Sequence, residues 1–289
     1  MPVLEETSSA DDVICFAGDI GTGGSGEYKV ALALQKAGCT QIRLLGDLVY
    51  PKGIRNAHDE NLQTHLLKPY QALRDQKVPI YLALGNHDYD QDPDAWLAVA
   101  KVGAGLHMPA RFYAEQMPDG LCVITLDTNW YQRLDLWAWR SIQTNWLRAA
   151  LERLKGSCTL SVALGHHPLY ASGDHGNARF DTAVFLQEEI AGNVDVYIAG
   201  HEHLLGDEGE IDRTRWLVSG AGAKNGGVAH RNSRAEYLSE QLGFLVLRPM
   251  LKDGKIRQAA YEFWEVPLTG DGGARLAHRG VIDGAGIRL

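Results

Sequence analysis

Short apolar runs that end on a glycine and a polar residue recur along the first two thirds of the chain. Residues 13–19 end on Gly18-Asp19, and residues 41–47 end on Gly46-Asp47. Runs of this length, rich in apolar and β-branched residues, are typical of buried β-strands. The same pattern predicts further strands at residues 78–84, 121–127, 159–164 and 194–199.

Segments with helical character separate these runs. Helices are predicted at residues 27–37, 56–75, 141–155 and 182–190, whereas residues 92–111 read as a mixed segment that covers one face and the tryptophan-rich residues 129–139 as a loop. After residue ~205, apolar runs at 215–219, 242–247 and 258–265 follow one another with glycine-rich turns and no room for crossover helices. The pattern therefore predicts one α/β domain over residues 1–289, with a core at 13–265, more than one sheet layer and a loose tail at 270–289.

Composition limits the classes of partner. The 289 residues include 28 Lys and Arg against 36 Asp and Glu, for a formal net charge of -8. An acidic chain is not expected to bind nucleic acid or an anionic membrane, because both attract a basic surface. No run approaches the ~20 apolar residues that span a bilayer, and residues 1–12 lack the basic start and apolar centre of a secretory signal. We therefore expect a cytoplasmic protein, with a processed export form as the alternative.

The four cysteines show no metal-binding spacing. Cys15, Cys39, Cys122 and Cys158 are far apart, and three of them lie inside or at the edge of strand-like runs. Free cysteine packs as a small apolar residue, so we expect four buried free thiols, as in a reducing compartment.

Polar residues that follow strand ends carry the candidate chemistry. In α/β folds the carboxyl ends of strands line the site, which predicts that the strand-end residues meet. The candidates are Asp19, Asp47, Tyr50, Asn86, His166, His201 and His203. This set does not suit a single structural zinc, which prefers four Cys or His ligands. It suits two metal ions bridged by a carboxylate, for which Asp47 is the natural candidate, and donors without thiolate favour Fe, Zn or Mn.

Four alternatives compete with this assignment. Asp19 and Asp47 could cap helices or turns, and His167 could exchange places with His166. Residues 21–26 match the G-x-G-x-x-G pattern of a Rossmann-type nucleotide-binding enzyme, although that reading leaves the histidines without a role. A scaffold that has lost catalysis would lack one or more ligands, and the seven positions are intact.

Five ordered motifs resemble those of calcineurin-like metallophosphoesterases. They are Gly18-Asp19-Ile20-Gly21, Gly46-Asp47-Leu48-Val49-Tyr50, Gly85-Asn86-His87-Asp88, Gly165-His166-His167-Pro168 and Gly200-His201-Glu202-His203. Tyr50 narrows the resemblance to purple acid phosphatases. The length of the chain, together with residues 165–176, resembles their small, tartrate-resistant type in particular. The resemblance covers roughly residues 13–248 and implies a four-layer αββα sandwich, in which two mixed β-sheets pack face to face with helices on the outside.

The resemblance also implies a ligand set and a reaction. Asp19, Asp47, Tyr50 and His203 would hold Fe(III), while Asp47, Asn86, His166 and His201 would hold a divalent Fe, Zn or Mn ion. A metal-bound hydroxide would attack a phosphate monoester at acid to neutral pH and release inorganic phosphate. The alternative within the superfamily is a phosphodiesterase that acts on a nucleotide or a phospholipid headgroup.

Three further residues match positions outside the metal shell. The resemblance implies that His87 and His175 stabilise the phosphoryl oxygens and protonate the leaving alkoxide. Asp88, which is next to His87 in the sequence, is expected to orient and charge it.

Overall fold

The computed structural model describes residues 3–5, 12–269 and 273–289. Its strands, in chain order, are β1 Val3–Glu5, β2 Ile14–Ala17, β3 Gln41–Leu45, β4 Ile80–Ala83, β5 Leu106–His107, β6 Tyr113–Gln116, β7 Leu121–Thr125, β8 Leu160–Gly165, β9 Val196–Ala199, β10 Leu205–Ile211, β11 Thr214–Ser219, β12 Tyr237–Ser239, β13 Gly243–Lys252, β14 Lys255–Glu265 and β15 Arg275–Asp283. Its α-helices are α1 Ser25–Lys36, α2 Glu60–Leu62, α3 Gln71–Asp75, α4 Asp94–Lys101, α5 Asn129–Gln132, α6 Trp137–Leu154 and α7 Phe180–Glu189. Across the described ranges, no helix combines the length and the apolar character that a bilayer crossing demands.

The strands form two mixed sheets. In the described residues, one sheet has eight strands in the order β1-β6-β7-β8-β9-β11-β10-β12, and the other has seven in the order β15-β14-β13-β2-β3-β4-β5. β2, β3 and β4 run parallel in the second sheet, as do β7, β8 and β9 in the first. The predicted α/β fold with two mixed sheets and outer helices is confirmed.

Each central strand is buried on both faces. Ile14 and Phe16 of β2 pack into a cluster that also holds Val162 of β8, so this cluster fills the space between the two sheets. Cys15 and Ala17 point the other way, into a cluster shared with the helices. Burial on both faces explains why these strands appear in the sequence as continuous apolar runs rather than as alternating ones.

Several predicted element boundaries are wrong. Residues 129–139 are not a loop, because α5 occupies Asn129–Gln132 and α6 begins at Trp137. The predicted helix at 56–75 is divided into α2, a π-helical turn at Gln63–Leu67 and α3. The predicted loose tail contains β15, which pairs antiparallel with β14 from Gln258↔Asp283 to Glu265↔Arg275; residues 270–272 lie outside the described part.

The prediction of free thiols is wrong. Cys15 is bonded to Cys39 and Cys122 to Cys158, with Cα–Cα distances of 5.8 and 5.7 Å. Each bond joins a strand to the segment that enters its parallel neighbour, since Cys39 precedes β3 and Cys158 precedes β8. The two crossover connections therefore decide the pairing, and sequence spacing does not reveal it.

The Rossmann alternative is also wrong. A doubly wound sheet would place β2 between parallel strands, but β2 pairs antiparallel with β13 on one side. A Cβ on Gly21 would lie 2.1 Å from the carbonyl oxygen of Leu48, so this glycine permits contact with the loop after β3. The glycine-rich segment packs against protein backbone at the position where a pyrophosphate would have to bind.

Glu27 lies in the first turn of α1 and is buried. Its carboxylate accepts a hydrogen bond of 2.7 Å from the Gly23 amide, yet burial raises its pKa from 4.5 to about 9. The unfolded chain releases this proton at lower pH than the folded chain does, so the free energy of unfolding falls as pH rises from about 4.5 towards 9.

We expect Glu27→Gln to remove this pH dependence, because the amide carries no charge to bury. At pH 8 the variant should be more stable than the parent by about 1–3 kcal/mol, with little difference at pH 4.5. Urea unfolding at the two pH values measures this, with Glu60→Gln on exposed helix surface as the matched control. An equal difference in the free energy of unfolding between parent and variant at both pH values would contradict a raised pKa of Glu27.

Candidate metal centre

Three of the predicted ligands occupy left-handed backbone directly after a strand. The angle φ is 59° at Asp19, 54° at Asp47 and 69° at His201, which follow β2, β3 and β9. Non-glycine residues adopt this conformation rarely, and it costs free energy that the surrounding fold must offset. The turn it creates directs each side chain across the strand ends instead of along its own strand.

The glycines before and between these residues allow the loops to approach one another closely. Gly46 has φ of 93°, and a Cβ there would lie 2.5 Å from the amide nitrogen of Gly85. A Cβ on Gly85 would in turn lie 2.1 Å from Oδ1 of Asp47. Any larger residue at either position would displace the carboxylate.

Asp19, Tyr50 and His203 form a first set of donors, here termed the tyrosine group. The Tyr50 hydroxyl lies 2.9 Å from Oδ1 of Asp19 and 3.4 Å from Nε2 of His203. Nε2 of His203 is 3.4 Å from the same Asp19 oxygen. The three donor atoms therefore form a nearly equilateral triangle.

Asn86, His166 and His201 form a second set, here termed the asparagine group. Oδ1 of Asn86 lies 3.0 Å from Nε2 of His166 and 3.1 Å from Nδ1 of His201, and the two ring nitrogens are 3.3 Å apart. Nδ1 of His166 is 2.8 Å from the Leu45 carbonyl oxygen. That contact makes Nδ1 the donor and leaves a lone pair on Nε2 directed into the triangle.

Asp47 contacts both groups with different oxygens. Its Oδ2 accepts a 2.8 Å hydrogen bond from the Tyr50 hydroxyl, and its Oδ1 lies 3.6 Å from Nε2 of His166. The backbone amide of His87 donates to Oδ1 at 2.9 Å. One carboxylate thus spans the two triangles, which is the geometry that a bridging ligand requires.

The donor set fits cations. Ligands at about 2.0–2.2 Å from one ion stand about 3–3.5 Å from each other, which is the spacing found in both triangles. Asp19 and Asp47 are 0% and 2% exposed, and buried carboxylates so close together require positive charge. Burial, followed by the charges of these two aspartates, raises the pKa of Tyr50, so a phenolate at this position requires a cation beside it.

Two predicted catalytic histidines lie at the solvent side of the donors. The side chain of His87 is 33% exposed and that of His175 is 50% exposed, whereas His166 is fully buried. Nδ1 of His87 is held 2.6 Å from the Pro51 carbonyl oxygen, which leaves Nε2 on the side of Asp47, 3.9 Å from its Oδ2. Both rings can reach a molecule that enters from solvent.

The prediction that Asp88 orients His87 is wrong. The Asp88 carboxylate accepts hydrogen bonds from the amides of Gly85 at 2.8 Å and Leu48 at 3.1 Å. Burial and the charge of Asp47 raise the pKa of Asp88 well above its usual range. Asp88 therefore joins the loops after β3 and β4, and the Pro51 carbonyl holds the His87 ring.

Glu202 and Lys224 are site residues that sequence reasoning missed. Glu202 is buried, and its Oε2 lies 3.5 Å from Nδ1 of His175, which raises the pKa of that histidine through the hydrogen bond. The Lys224 ammonium lies 4.1 Å above the Tyr50 ring. Glu202 stood inside the His201-x-His203 motif as a spacer, whereas nothing in the sequence marked Lys224, which follows β11.

His166 and His167 have different hydrogen-bond partners, although one ring nitrogen of each and one of His201 lie within 4.8 Å of one another. His166 presents Nε2 to Asn86, whereas Nδ1 of His167 is 2.8 Å from the Thr128 hydroxyl. His167 is buried, and burial lowers its pKa well below the ordinary value. His167 remains within reach of the site, because its ring centroid is 4.6 Å from that of His201.

Asp127 and Tyr89 brace the loop that carries Asn86. Asp127, predicted to be a cap, accepts from the Asn129 amide at 3.3 Å at the start of α5 and also from the Tyr89 hydroxyl. The Asn129 side-chain amide donates a hydrogen bond of 2.9 Å to the Leu84 carbonyl oxygen. These contacts tie the loop after β4 to the opposite sheet.

Among the residues that the structure describes, a further cluster outside this centre combines Asp207, Glu236 and His278. Arg215 lies between the acids, with its guanidinium 3.1 Å from Asp207 and 2.7 Å from Glu236. Because an arginine already supplies the positive charge, the cluster is an ion-pair network and is a poor site for a cation.

Comparison with known proteins agrees with this architecture. A family model described as calcineurin-like phosphoesterase matches residues 3–205, a range that contains the seven candidate ligands. "Purple acid phosphatase 17" of Arabidopsis thaliana is 25% identical over 248 residues, which are 76% of this chain and 71% of that protein. "Tartrate-resistant acid phosphatase type 5" of Rattus norvegicus is 25% identical over 212 residues, 67% of this chain and 64% of that protein.

A solved structure extends the likeness to almost the whole chain. The structure titled "GAP50 the anchor in the inner membrane complex of Plasmodium" superposes with a TM-score of 0.78 at 18% identity, over 96% of this chain and 89% of that one. At that identity the match shows a shared fold. The resemblance to purple acid phosphatases within the wider superfamily is confirmed by the family model and the relatives. The calcineurin-like phosphoesterase family model matches residues 3–205, which are more than half of the chain. The chain therefore belongs to the calcineurin-like phosphoesterase family.

Proposed function

We propose that this protein is a dinuclear metal hydrolase that cleaves phosphate monoesters. The position of Asp47 carries the proposal, since one carboxylate faces the tyrosine group with Oδ2 and the asparagine group with Oδ1. The tyrosine group would hold a ferric ion, and the asparagine group a divalent Fe, Zn or Mn ion. When bound, two such ions neutralise the phosphoryl oxygens and acidify a water for attack at phosphorus.

The residues around the donors divide the remaining tasks. His87, with its Nδ1–H fixed by the Pro51 carbonyl, presents Nε2 to a phosphoryl oxygen and donates to it in the imidazolium form, in which both ring nitrogens carry hydrogen. His175 can protonate the leaving alkoxide, because the hydrogen bond to Glu202 raises its pKa and so keeps the imidazolium form populated to higher pH. Lys224 adds a positive charge beside Tyr50 that would attract an anionic substrate.

Tyr50 provides a test of the ferric ion that needs no substrate. A phenolate bound to Fe(III) absorbs visible light, so protein purified without chelators should be coloured and contain iron. We expect Tyr50→Phe to lose the colour, since the ring remains but the donor oxygen is removed. Visible absorption and metal analysis by mass spectrometry measure both outcomes. Colourless, iron-free protein with full phosphatase activity would overturn the ferric assignment.

The choice between monoester and diester substrates has a direct experiment. We expect the rate on 4-nitrophenyl phosphate to exceed that on bis(4-nitrophenyl) phosphate by about a hundredfold or more, because a monoester presents more anionic oxygens to two cations. Both reactions release the same coloured product, so one assay compares them. A preference for the diester would favour the alternative phosphodiesterase function.

The two disulfides bear on where this reaction takes place. The expectation of a cytoplasmic protein rested on the lack of a signal-like start at residues 1–12, and the expected free thiols agreed with it, but both cysteine pairs are bonded. Structural disulfides persist in oxidising compartments, so we propose that the protein works in one, on a small phosphorylated substrate. Alkylation of thiols in intact cells before lysis tests this, with four unmodified cysteines as the expected result and four alkylated cysteines as the contrary one.

A further inference from the structure

A second open cavity lies beside the one that contains the metal-site histidines. The first has a volume of about 280 Å³ and is lined in part by His175 and His201. The second, here termed the distal cavity, has a volume of about 410 Å³ and is lined in part by His230, Arg231 and Asn232. Residues 175–179 line both cavities and form the ridge between them.

The distal cavity is positively charged on an acidic protein. Arg179 and Arg231 line it together with His230, against one carboxylate, Asp174. Within residues 3–5, 12–269 and 273–289, neither arginine has a carboxylate at ion-pair distance; the guanidinium of Arg231 donates only to the Ala235 carbonyl oxygen, at 3.3 Å. Both cations therefore remain available to an anion, although the chain carries a formal net charge of -8.

Hydrogen bonds through Ser172 hold the two walls of this cavity together. The amides of His230 and Asn232 donate to the backbone carbonyl and the hydroxyl of Ser172, at 3.1 and 3.0 Å. Ser172 is itself anchored on the fully buried Glu208, which accepts from its amide and its hydroxyl at 2.7 Å each. The arginine-bearing segment is thus fixed relative to the loop that carries His175, and the cavity is largely formed before a ligand arrives.

We infer that the distal cavity binds a second phosphoryl group of the substrate, whose first phosphoryl group lies at the metal centre. The inference rests on the proposed function and narrows its substrate class to organic bisphosphates. Arginine is suited to this role, because its planar guanidinium can donate two parallel hydrogen bonds to one phosphate. The ridge at 175–179 sets the separation of the two groups, so the affinity should depend on the length of the linker between them.

The test uses α,ω-alkanediol bisphosphates of increasing chain length, each compared with the monophosphate of the same diol. For the holoenzyme we expect KM to be about tenfold or more lower for the bisphosphate at an optimal length, as one charge-assisted contact is worth this factor. Arg231 lines only the distal cavity. Arg231→Gln should therefore abolish the lower KM of the bisphosphate and leave the KM of the monophosphate within about twofold of the parent value. Arg231→Lys should restore part of it, and Arg234→Gln, an exposed arginine outside the cavity, should change neither value.

Titration calorimetry with the same pairs separates this inference from the proposed function. Preferential binding of the bisphosphate that Arg231→Gln removes, without turnover of any monoester, would support the cavity assignment and overturn the phosphatase proposal. Turnover of 4-nitrophenyl phosphate with equal affinity for mono- and bisphosphates of every length would overturn the distal cavity alone. An equal effect of Arg231→Gln on the affinities for the bisphosphate and the monophosphate of the same diol would also overturn the distal cavity assignment.

Discussion

Asp47→Asn is expected to reduce kcat/KM on 4-nitrophenyl phosphate by at least about a thousandfold and to remove at least one metal ion per chain. The amide is similar in size to the carboxylate but carries no charge. The asparagine side chain has one acceptor oxygen, whereas both carboxylate oxygens of Asp47 accept hydrogen bonds, one from the Tyr50 hydroxyl at 2.8 Å and the other from the His87 amide at 2.9 Å. The variant should therefore fold, yet fail to hold two cations close together. Phosphate release and metal analysis on the same preparation measure both effects.

A matched variant separates the bridging role from a general loss of negative charge. Asp253 is exposed in the turn between β13 and β14 with φ of 53°, a conformation that asparagine tolerates. Asp253→Asn should retain the activity and the metal content of the parent. If Asp47→Asn kept two ions per chain and more than half of the activity, Asp47 would not be the bridge and the dinuclear proposal would fail.

Replacement of both cysteines of either disulfide by alanine is expected to lower the free energy of unfolding by about 3–4 kcal/mol. The bonds close loops with sequence separations of 24 and 36 residues, and loop closure restricts the unfolded chain. The Cys15–Cys39 bond also lies in the core, with Cys15 fully buried within β2, the strand that leads to Asp19. Urea unfolding of each double variant measures the change.

Reduction provides the control for the cysteine variants. Dithiothreitol should destabilise the parent by a similar amount, whereas it should not change a variant that lacks all four cysteines. Unchanged stability of both double variants would mean that the bonds do not form in the protein, and the proposed oxidising compartment would lose its basis.

The local pattern along the chain was sufficient for the strands that carry the site. β2 and β4 are buried on both faces and appear in the sequence as uninterrupted apolar runs, whereas the buried β3 also contains Gln41 and Arg43. The glycine after each run marks where the backbone must turn. Asp19 and Asp47 could be placed at strand ends for that reason. The sequence also identified the seven candidate ligands, because strand order brings the carboxyl ends of parallel strands to one edge.

Contacts between distant segments were not visible in the same way. β15 is glycine-containing and locally unremarkable in pattern, and it is a strand only because β14 offers it a full ladder of partners. Asp88 follows His87 in the sequence, yet the 3₁₀ turn at His87–Asp90 directs its carboxylate to the amides of Gly85 and Leu48. Adjacency in the chain does not determine which groups side chains meet.

The sequence by itself determined an α/β fold with more than one sheet layer and the donor types, since these depend on burial patterns and residue chemistry that each short segment carries. The family and the pair of packed sheets followed from the resemblance of its five motifs. Only the tertiary structure decided that one oxygen of Asp47 faces each donor triangle, that Glu202 holds His175, and that the cysteines are paired. It also placed Arg179 and Arg231 in one cavity beside the site. These features depend on distances between residues far apart in the chain, which are fixed only when the sheets pack and the loops at their edge close together.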